Sequence, residues 1–474
     1  MRRYSLVLIV VTAVGVGLFL RSTQSGPTPP IADLHSALDE FKSALDERWA
    51  YRQATRADFD GAIGALRQRI SAGMSLDEFG LELHKIIALG LDGHSGVDGY
   101  KLTGTRYLPF LIEPDGERWI AFNVERTAFL ADRFPYLTHI DGLTVGEWCN
   151  AAAVLVPKGS LQYVRHRCLT VMRNLDFVRR LIRQPERDSV DVTLASPDGN
   201  TTKTLTLHAS STPADYGKWP SGGSRVLEGN IGYLRLVTLG RRLSVQEIEQ
   251  WMPRFRHTTG LIIDVRDNAG GDRDALQLVY SYLAERGDPP RVFNAAAYRI
   301  HEAHPEDHLA RNHRMYRRDA RDWSDADRQA IDEFVASFKA KWGPPKGQFS
   351  DWHYMALSPL DDPDVYQYKE SVVVLMNGKS FSATDIFLAG LKGMKNVTLL
   401  GTPSAGGSAF TQEVALGTTG LRLRIGSMAS FQADGRLFDG HGVRPDVIVE
   451  PTPDFYIGGP DNLLAEAIGR LAGR

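Results

Sequence analysis

The strongest constraint on the fold comes from residues 371–390. Residues 371–376 have the length and apolar composition of a buried β-strand, and a helical pattern follows after small residues, GKSFSATDIFLAG at Gly378–Gly390. A buried strand that turns sharply into a helix indicates an α/β layer. At this turn Ser382 is either a helix cap or an exposed nucleophile beside amides that face an incoming carbonyl group.

Residues 220–474 are predicted to form an α/β core, because strand and helix patterns alternate around this turn. Further elements are expected as strands at residues 231–236, 261–263, 397–400 and 421–425, and as helices after Gly271 and Ser382. Ser244–Glu247 has the spacing of a capping box and predicts that a helix begins there. The amphipathic segment Asn462–Leu471 closes the core, and a charged helical insertion at residues 296–355 interrupts it.

Two smaller regions precede the core. Residues 31–100 are predicted to be a helical domain, because apolar residues recur there every three to four positions and a turn containing His94 follows the last helix. Residues 105–208 alternate strand-like runs, such as residues 107–112 and 190–194, with an arginine-rich helical stretch, Gln162–Arg187. This pattern predicts a separate module.

Residues 1–30 are interpreted as an export or anchor segment and a linker. Arg2 and Arg3 precede an uncharged run at residues 4–20, and a proline-rich linker follows. The run has a length between that of a signal-peptide core and that of a membrane-spanning helix of about 20 residues. We expect an uncleaved anchor with positive-inside orientation, which places the rest of the chain outside the cytoplasm.

The composition excludes nucleic acid as a partner and leaves the state of the two cysteines open. The formal net charge is −2 and the sequence pI is about 6.7, so the basic surplus that nucleic-acid binding requires is missing. Cys149 and Cys168 are the two cysteines of the chain. In an exported chain they could form a disulfide, or both could be buried thiols.

Four further segments accompany the serine turn along the chain: Asp92–Gly96 (DGHSG), Gly260–Gly271 (GLIIDVRDNAGG), Gly401–Gly407 (GTPSAGG) and Asp439–Asp446 (DGHGVRPD). In this order and spacing, the five segments resemble the C-terminal processing and tricorn-core serine peptidases over most of residues 31–474. The resemblance implies a crotonase-like (ClpP/crotonase) spiral for the core. It also implies a PDZ-like module at residues 105–208 that binds an extended chain by strand addition.

The resemblance further implies a serine endopeptidase that cuts unfolded or C-terminal polypeptide segments without a cofactor or metal. Ser382 takes the place of the nucleophile, and the Ala383 amide takes that of an oxyanion donor. Gly270 and Gly271 are the candidates for the second donor, since glycine lets backbone amides approach a ligand closely.

Two related branches activate the serine differently, and this chain matches one of them incompletely. The processing branch uses a lysine at the position of Gly407, whereas the tricorn-like branch uses a histidine at the position of His94. His94 is therefore predicted to be the general base. Gly93 stands where the tricorn-like pattern has a serine, and Asp439 where it has a glutamate. Either Asp439 or Asp92 could orient His94.

These departures keep a second interpretation open, in which the chain is an inactive peptide- or ligand-binding protein on the same fold. A third hypothesis is a metal-dependent hydrolase that uses the histidines at positions 301, 304, 308 and 313. The arginines of that segment and Pro305 favour a solvated lid instead, and no metal site is predicted there.

Overall fold

The computed structural model describes residues 29–71, 73–302 and 308–473. The predicted anchor at residues 4–20 lies outside the described residues. None of the helices formed by the described residues combines the length and the apolar character needed to cross a bilayer.

Three helices open the described chain, as the apolar spacing predicts. They are α1 (Ile31–Glu47), α2 (Phe59–Arg69) and α3 (Leu76–Ile87), followed by the short strand β1 (Gly96–Asp98). The side chains of Asp58 and Ser75 accept hydrogen bonds from backbone amides of the first turns of α2 and α3, which fixes where these helices begin. Leu34, Leu38 and Phe41 are buried on the inner face of α1.

The second region contains an antiparallel sheet with helices packed on it. Its elements are β2 (Leu111–Asp115), β3 (Arg118–Phe122), β4 (Tyr136–Ile140), β5 (Leu143–Thr144), α4 (Val145–Ala152), α5 (Leu161–Met172), α6 (Leu175–Leu181), β6 (Ser189–Ala195) and β7 (Thr202–His208). The strand order is β2-β3-β4-β6-β7, with β5 paired to β4. Strand β2 begins at Leu111, so most of the predicted run at residues 107–112 precedes it.

The two cysteines meet where α4 packs on α5. Both are buried free thiols, and Cys168 Sγ lies 3.3 Å from the carbonyl oxygen of Cys149. Of the two alternatives, a disulfide or two buried thiols, the structure therefore has the buried thiols.

The remaining elements form the predicted α/β core. In chain order they are β8 (Arg225–Leu227), β9 (Ile231–Arg235), α7 (Arg241–Phe255), β10 (Gly260–Asp264), α8 (Asp274–Leu283), β11 (Arg291–Tyr298), α9 (Leu309–His313), β12 (Tyr316–Arg317), α10 (Asp325–Ser337), β13 (His353–Leu357), β14 (Val372–Met376), α11 (Ala383–Leu391), β15 (Val397–Gly401), β16 (Thr411–Ala415), β17 (Arg422–Gly426), β18 (Met428–Phe431), β19 (Val447–Ile448) and α12 (Asn462–Ala472).

The central sheet of the core has the order β19-β15-β14-β10-β9-β8 and is parallel except at β8. Every residue of β9, β10 and β14 is buried, because α12 packs on one face and α7, α8 and α11 pack on the other. Asp264 pairs with Leu375, so β10 and β14 end at the same edge of the sheet. This register brings residues 265–271 beside the turn that contains Ser382.

Two smaller sheets complete the architecture. The order of one is β12-β13-β11-β18, and that of the other is β1-β17-β16. The residues at the two ends of the predicted insertion, 296 and 355, lie inside β11 and β13, so sheet pairing ties both ends of this segment to the core. Strand β1 pairs with β17, which joins the segment after His94 to the core.

One helix start is wrong in the sequence prediction. Helix α7 begins at Arg241, and Ser244 lies inside its first turn rather than at its cap. The Ser244 hydroxyl donates a hydrogen bond to the carbonyl oxygen of Gly240 at 2.9 Å, so it satisfies a carbonyl group instead of accepting from an amide.

Candidate active site

Ser382 lies at the sharp turn between β14 and α11. Its backbone has φ 63° and ψ −124°, a strained conformation for a residue with a side chain. Asn268 holds the turn from both sides: its carbonyl oxygen accepts from the Phe381 amide at 3.0 Å, and its Oδ1 accepts from Thr384 Oγ1 at 2.9 Å. This arrangement is that of a nucleophile elbow, which raises a hydroxyl group above the start of a helix.

His94 faces Ser382 directly, although 288 positions separate them in the chain. The distance from His94 Nε2 to Ser382 Oγ is 3.0 Å, within the reach of a general base. The His94 ring stacks on Phe381 with centroids 4.5 Å apart, and Arg424 Nε donates to the His94 carbonyl oxygen at 3.0 Å. Both the ring and the backbone of His94 are therefore held in place.

Asp92 is the carboxylate that lies beside the second nitrogen of His94. Its Oδ1 accepts from the His94 amide at 2.9 Å and lies 3.9 Å from His94 Nδ1. Its Oδ2 accepts from Trp49 Nε1 at 3.0 Å and from the Gly426 amide at 2.7 Å. His94 Nδ1 is buried and has no hydrogen-bond partner in the described structure.

Asp439, one of the two carboxylates predicted to orient His94, makes its hydrogen bonds to other groups in the described structure. Its Oδ1 accepts from the Gly93 amide at 3.1 Å, and its Oδ2 accepts from Tyr51 Oη at 2.6 Å and from the Ser408 amide at 3.1 Å. These contacts tie Asp439 to the backbone beside His94, and no hydrogen bond to the imidazole accompanies them in the described structure. Of the two predicted alternatives, Asp92 lies next to the ring nitrogen.

Burial shifts the pKa of both His94 and Asp439. Desolvation lowers the pKa of His94 to about 4; the charge of Asp92 opposes this shift, and the charges of Arg167 and Arg424 reinforce it. Desolvation, together with the negative charge of Asp92, raises the pKa of Asp439 to about 7. At neutral pH the imidazole is therefore uncharged and able to accept a proton.

Gly93 leaves room for two aromatic rings. A Cβ atom at this position would lie 3.1 Å from Phe381 and 3.2 Å from Tyr163. Tyr163 Oη also donates to the Gly93 carbonyl oxygen at 3.0 Å. The stacked rings of this chain thus occupy the space into which a serine at position 93 would project.

The two predicted oxyanion glycines differ in what their amides can do. A Cβ atom at Gly270 would lie 2.7 Å from Ser382 Cβ and 2.8 Å from the Ala383 nitrogen, so only glycine fits against the serine turn. The Gly270 amide already donates to Asn268 Oδ1 at 2.9 Å, which makes it unavailable to a ligand. Gly271 is exposed and Ala383 begins α11, so their amides remain the candidate donors.

Comparison with known proteins identifies this part of the chain. Residues 230–449 match the sequence profile of peptidase family S41. They belong to that family. This confirms, for these residues, the predicted membership in the processing and tricorn-core peptidases. His94 lies outside the S41 domain, whereas Ser382 and the other candidate residues from Gly270 to Asp439 lie inside it.

A curated relative and solved structures agree with this assignment. The carboxy-terminal-processing protease of Bartonella bacilliformis is 33% identical over 239 residues, which cover 49% of this chain and 42% of that relative. The chain therefore matches less than half the length of that relative. Mature CPAF bound to lactacystin has a TM-score of 0.63 at 17% identity, covering 93% of this chain and 99% of its own. A CPAF mutant has a TM-score of 0.66 at 16% identity. These structures show that the mixed α/β fold is shared.

Sequence reasoning assigned no role to Asn268 or Tyr51, both of which support the site. Asn268 lies shortly before the glycine pair of the S41 domain. Its place in that motif is the feature of the sequence that could have indicated its role. Tyr51 lies 388 positions from Asp439, and no pattern in the sequence links the two.

The histidine-rich segment does not form a solvated lid at its described end. His313 Nε2 lies 3.3 Å from the Ala409 carbonyl oxygen, and the rings of His308 and His313 pack on Phe410. His304 lies outside the described residues. Within the described part of the chain, the residues with ligand atoms close enough for a metal are Asp92, His94 and Asp439, all within 4.8 Å of one another.

Proposed function

We propose that this protein is a serine endopeptidase that cuts polypeptides, with Ser382 as nucleophile and His94 as general base and acid. The observation that carries the proposal is the 3.0 Å contact between His94 Nε2 and Ser382 Oγ, made by a serine in a strained nucleophile elbow. Membership of residues 230–449 in peptidase family S41 supports the reaction class. The name of the curated relative, carboxy-terminal-processing protease, supports C-terminal segments as substrates, and unfolded segments are proposed beside them.

In the proposed reaction, Ser382 Oγ attacks the peptide carbonyl carbon while His94 Nε2 takes the hydroxyl proton. The amides of Ala383 and Gly271 bind the oxygen as it becomes negative, and one such donor contributes about 10²- to 10³-fold in rate. The imidazolium then gives its proton to the leaving amine, which breaks the peptide bond. Water attacks the acyl-enzyme in the same way and frees the serine.

The lowered pKa of His94 has two opposing effects on this reaction. It keeps the imidazole neutral at physiological pH, but it also makes the imidazole a weaker base. Asp92 stabilises the imidazolium that forms when the serine proton arrives, because its Oδ1 lies 3.9 Å from Nδ1. Asp439 acts on His94 indirectly, because it accepts a hydrogen bond from the amide of the neighbouring Gly93.

The proposal includes the domain organisation expected from the resemblance. Residues 31–100 form the helical domain that supplies His94, and residues 105–208 form the PDZ-like module that tethers an extended substrate. Residues 220–474 form a crotonase-like catalytic core with the segment 296–355 inserted. The six-stranded antiparallel sheet of the second region and the parallel sheet of the core support this division.

We place the protein outside the cytoplasm, held to the membrane by residues 4–20. The uncharged run behind Arg2 and Arg3 supports this location. The partners are then a polypeptide substrate and the membrane, with no nucleic acid and no cofactor in the reaction.

The test is covalent labelling of the full chain by a fluorophosphonate probe. Wild type should label, and Ser382→Ala and His94→Ala should lose labelling. Ser221→Ala and His257→Ala replace an exposed serine and an exposed histidine, and they should label like wild type. Labelling of Ser382→Ala at the wild-type rate would overturn the assignment of the nucleophile.

The second candidate function is an inactive peptide- or ligand-binding protein on the same fold. It is favoured by the unpartnered His94 Nδ1 and by the engagement of Asp439 with the backbone instead of the ring. If this function is correct, the folded wild type will fail to label but will still bind extended peptides.

A further inference from the structure

Arg273 is a deeply buried arginine without an acidic partner among the residues that the structure describes. It lies at the N-terminal end of α8 with 3% of its surface exposed. Its Nη1 donates to the carbonyl oxygen of His313 at 2.8 Å, and it contacts Asn294 Oδ1 at 3.4 Å and Met355 Sδ at 3.3 Å. These partners are all uncharged. Burial alone lowers the pKa of Arg273, to about 9, with no contribution from a nearby carboxylate.

Among the described residues, three other arginines of comparable burial bond carboxylates, whereas Arg299 bonds the carbonyl oxygens of Asp46 and Glu47 and the side chain of Gln348. Arg179 bonds Asp141, and Arg235 and Arg266 both bond Asp264. Asp274, the acidic residue that directly follows Arg273, pairs with Arg314 instead. A buried charge without a counter-ion is unfavourable, so Arg273 lowers the stability of the folded protein unless an anion binds to it.

Two lines of contact place Arg273 at the edge of the proposed active site. Along the chain it lies three residues after Gly270, which packs directly on Ser382. Through space, it bonds His313, whose ring nitrogen approaches the Ala409 carbonyl oxygen at 3.3 Å. The preceding residue, Ser408, donates to Asp439, which in turn holds Gly93 beside His94.

We propose that Arg273 is a specificity-determining residue that binds a carboxylate of the polypeptide to be cut at Ser382. This inference rests on the proposed function and names a chemical class of substrate for it. The planar guanidinium matches a carboxylate, and a partner that arrives with the substrate would supply the missing counter-ion. The carboxylate could belong to an Asp or Glu side chain or to the end of the substrate chain.

The test uses fluorescein-labelled ten-residue peptide pools with one position fixed as Glu or as Gln, each made with a free-acid and with an amide C-terminus. The full wild-type chain should cut a carboxylate-bearing pool about 10- to 100-fold faster than its neutral counterpart. Preference for Glu over Gln identifies a side chain as the source, and preference for the free acid over the amide identifies the chain end. Equal rates on all pools would overturn the proposal.

Variants test whether the preference for a carboxylate depends on Arg273 itself or on a neighbouring charge. Arg273→Gln should abolish the preference while Ser382 still reacts with the fluorophosphonate probe. Arg314→Gln removes a neighbouring charge that is already paired, and it should keep the preference. Arg273→Met should also not lower the unfolding temperature, because it removes an uncompensated charge. An unchanged preference in Arg273→Gln would overturn the assignment.

Binding of the same pools to Ser382→Ala protein, measured by fluorescence anisotropy, does not depend on turnover. The carboxylate-bearing pool should bind about 10-fold more tightly than the neutral pool, and Arg273→Gln in this background should remove the difference. If wild type fails to label with the probe while this difference persists, the proposed peptidase fails but the carboxylate site stands. If wild type labels and the difference is missing, the carboxylate site alone fails.

Discussion

In the proposed mechanism, Ser382 and His94 gain their reactivity from their surroundings. The serine is held at positive φ by hydrogen bonds of its neighbours to Asn268, and the histidine is deprived of solvent by the stacked ring of Phe381. Neither effect can be inferred from residue type. Both come from neighbours that the fold brings together.

The lowered pKa of His94 predicts how reactivity depends on pH. Only the neutral imidazole accepts the serine proton, so the labelling rate should stay high as pH falls to about 6 and should drop as pH passes through about 4. Fluorophosphonate labelling rates between pH 3.5 and pH 8 measure this profile. A midpoint near 6.5, the usual histidine value, would contradict the buried environment.

A matched pair of variants tests the cause of this shift. Arg167 is one of the charges that lower the His94 pKa, so Arg167→Gln should move the midpoint to higher pH. Arg165→Gln removes a charge from the same helix, where the guanidinium lies over Trp119, and it should leave the midpoint unchanged.

At the scale of elements, the strands of the core were largely predictable, whereas the sequence left two candidates, Asp92 and Asp439, for the carboxylate beside His94. Strand β14 occupies the predicted apolar run because such a run is stable only when both sheet faces are covered. The start of α7 was missed because Ser244 bonds a carbonyl group within the helix, a choice that the capping-box spacing does not reveal. The geometry of Asp439 depends on contacts with Tyr51 and Gly93, which lie more than 300 positions away.

The approach of the β10–α8 loop to the β14–α11 turn yields a further prediction. Gly270→Ala should abolish labelling and lower stability, because its Cβ would overlap Ser382 Cβ and the Ala383 nitrogen in a backbone with φ 98°. Gly287→Ala is the control: φ is 94° there, but no atom lies within 4 Å of the added Cβ. This variant should cost about 1 kcal/mol of stability and keep labelling. Thermal unfolding and labelling rates measure both effects, and equal results for the two variants would show that strain alone matters.

At the scale of the whole molecule, the site lies where three regions of the chain meet. His94 comes from the segment after the N-terminal helices, Ser382 from the core, and Phe381 also packs on Tyr163 of the second region. Lys379, in the same turn as Ser382, bonds the buried Glu113 of β2 at 2.5 Å. This ion pair links the second region to the nucleophile turn.

The ion pair between Lys379 and Glu113 predicts how the stability of a double variant compares with that of the single variants. Lys379→Met should lower the free energy of unfolding by about 3 kcal/mol, because it leaves Glu113 buried without its main partner. Adding Glu113→Gln should restore much of that loss. Chemical unfolding of wild type, both single variants and the double variant measures the coupling energy. Additive effects of the two changes would mean that the pair does not couple the regions.

The long chain separation between His94 and Ser382 also determines when reactivity can appear. During synthesis the histidine emerges from the ribosome long before the serine, and the strands that place them together, β1 and β17, pair only after residue 426 has been made. An unfinished or partly folded chain therefore carries an ordinary histidine and an ordinary serine. In the proposed mechanism, completion of folding is therefore the step that creates the reactive pair, so a chain that has not finished folding cannot itself cut another chain.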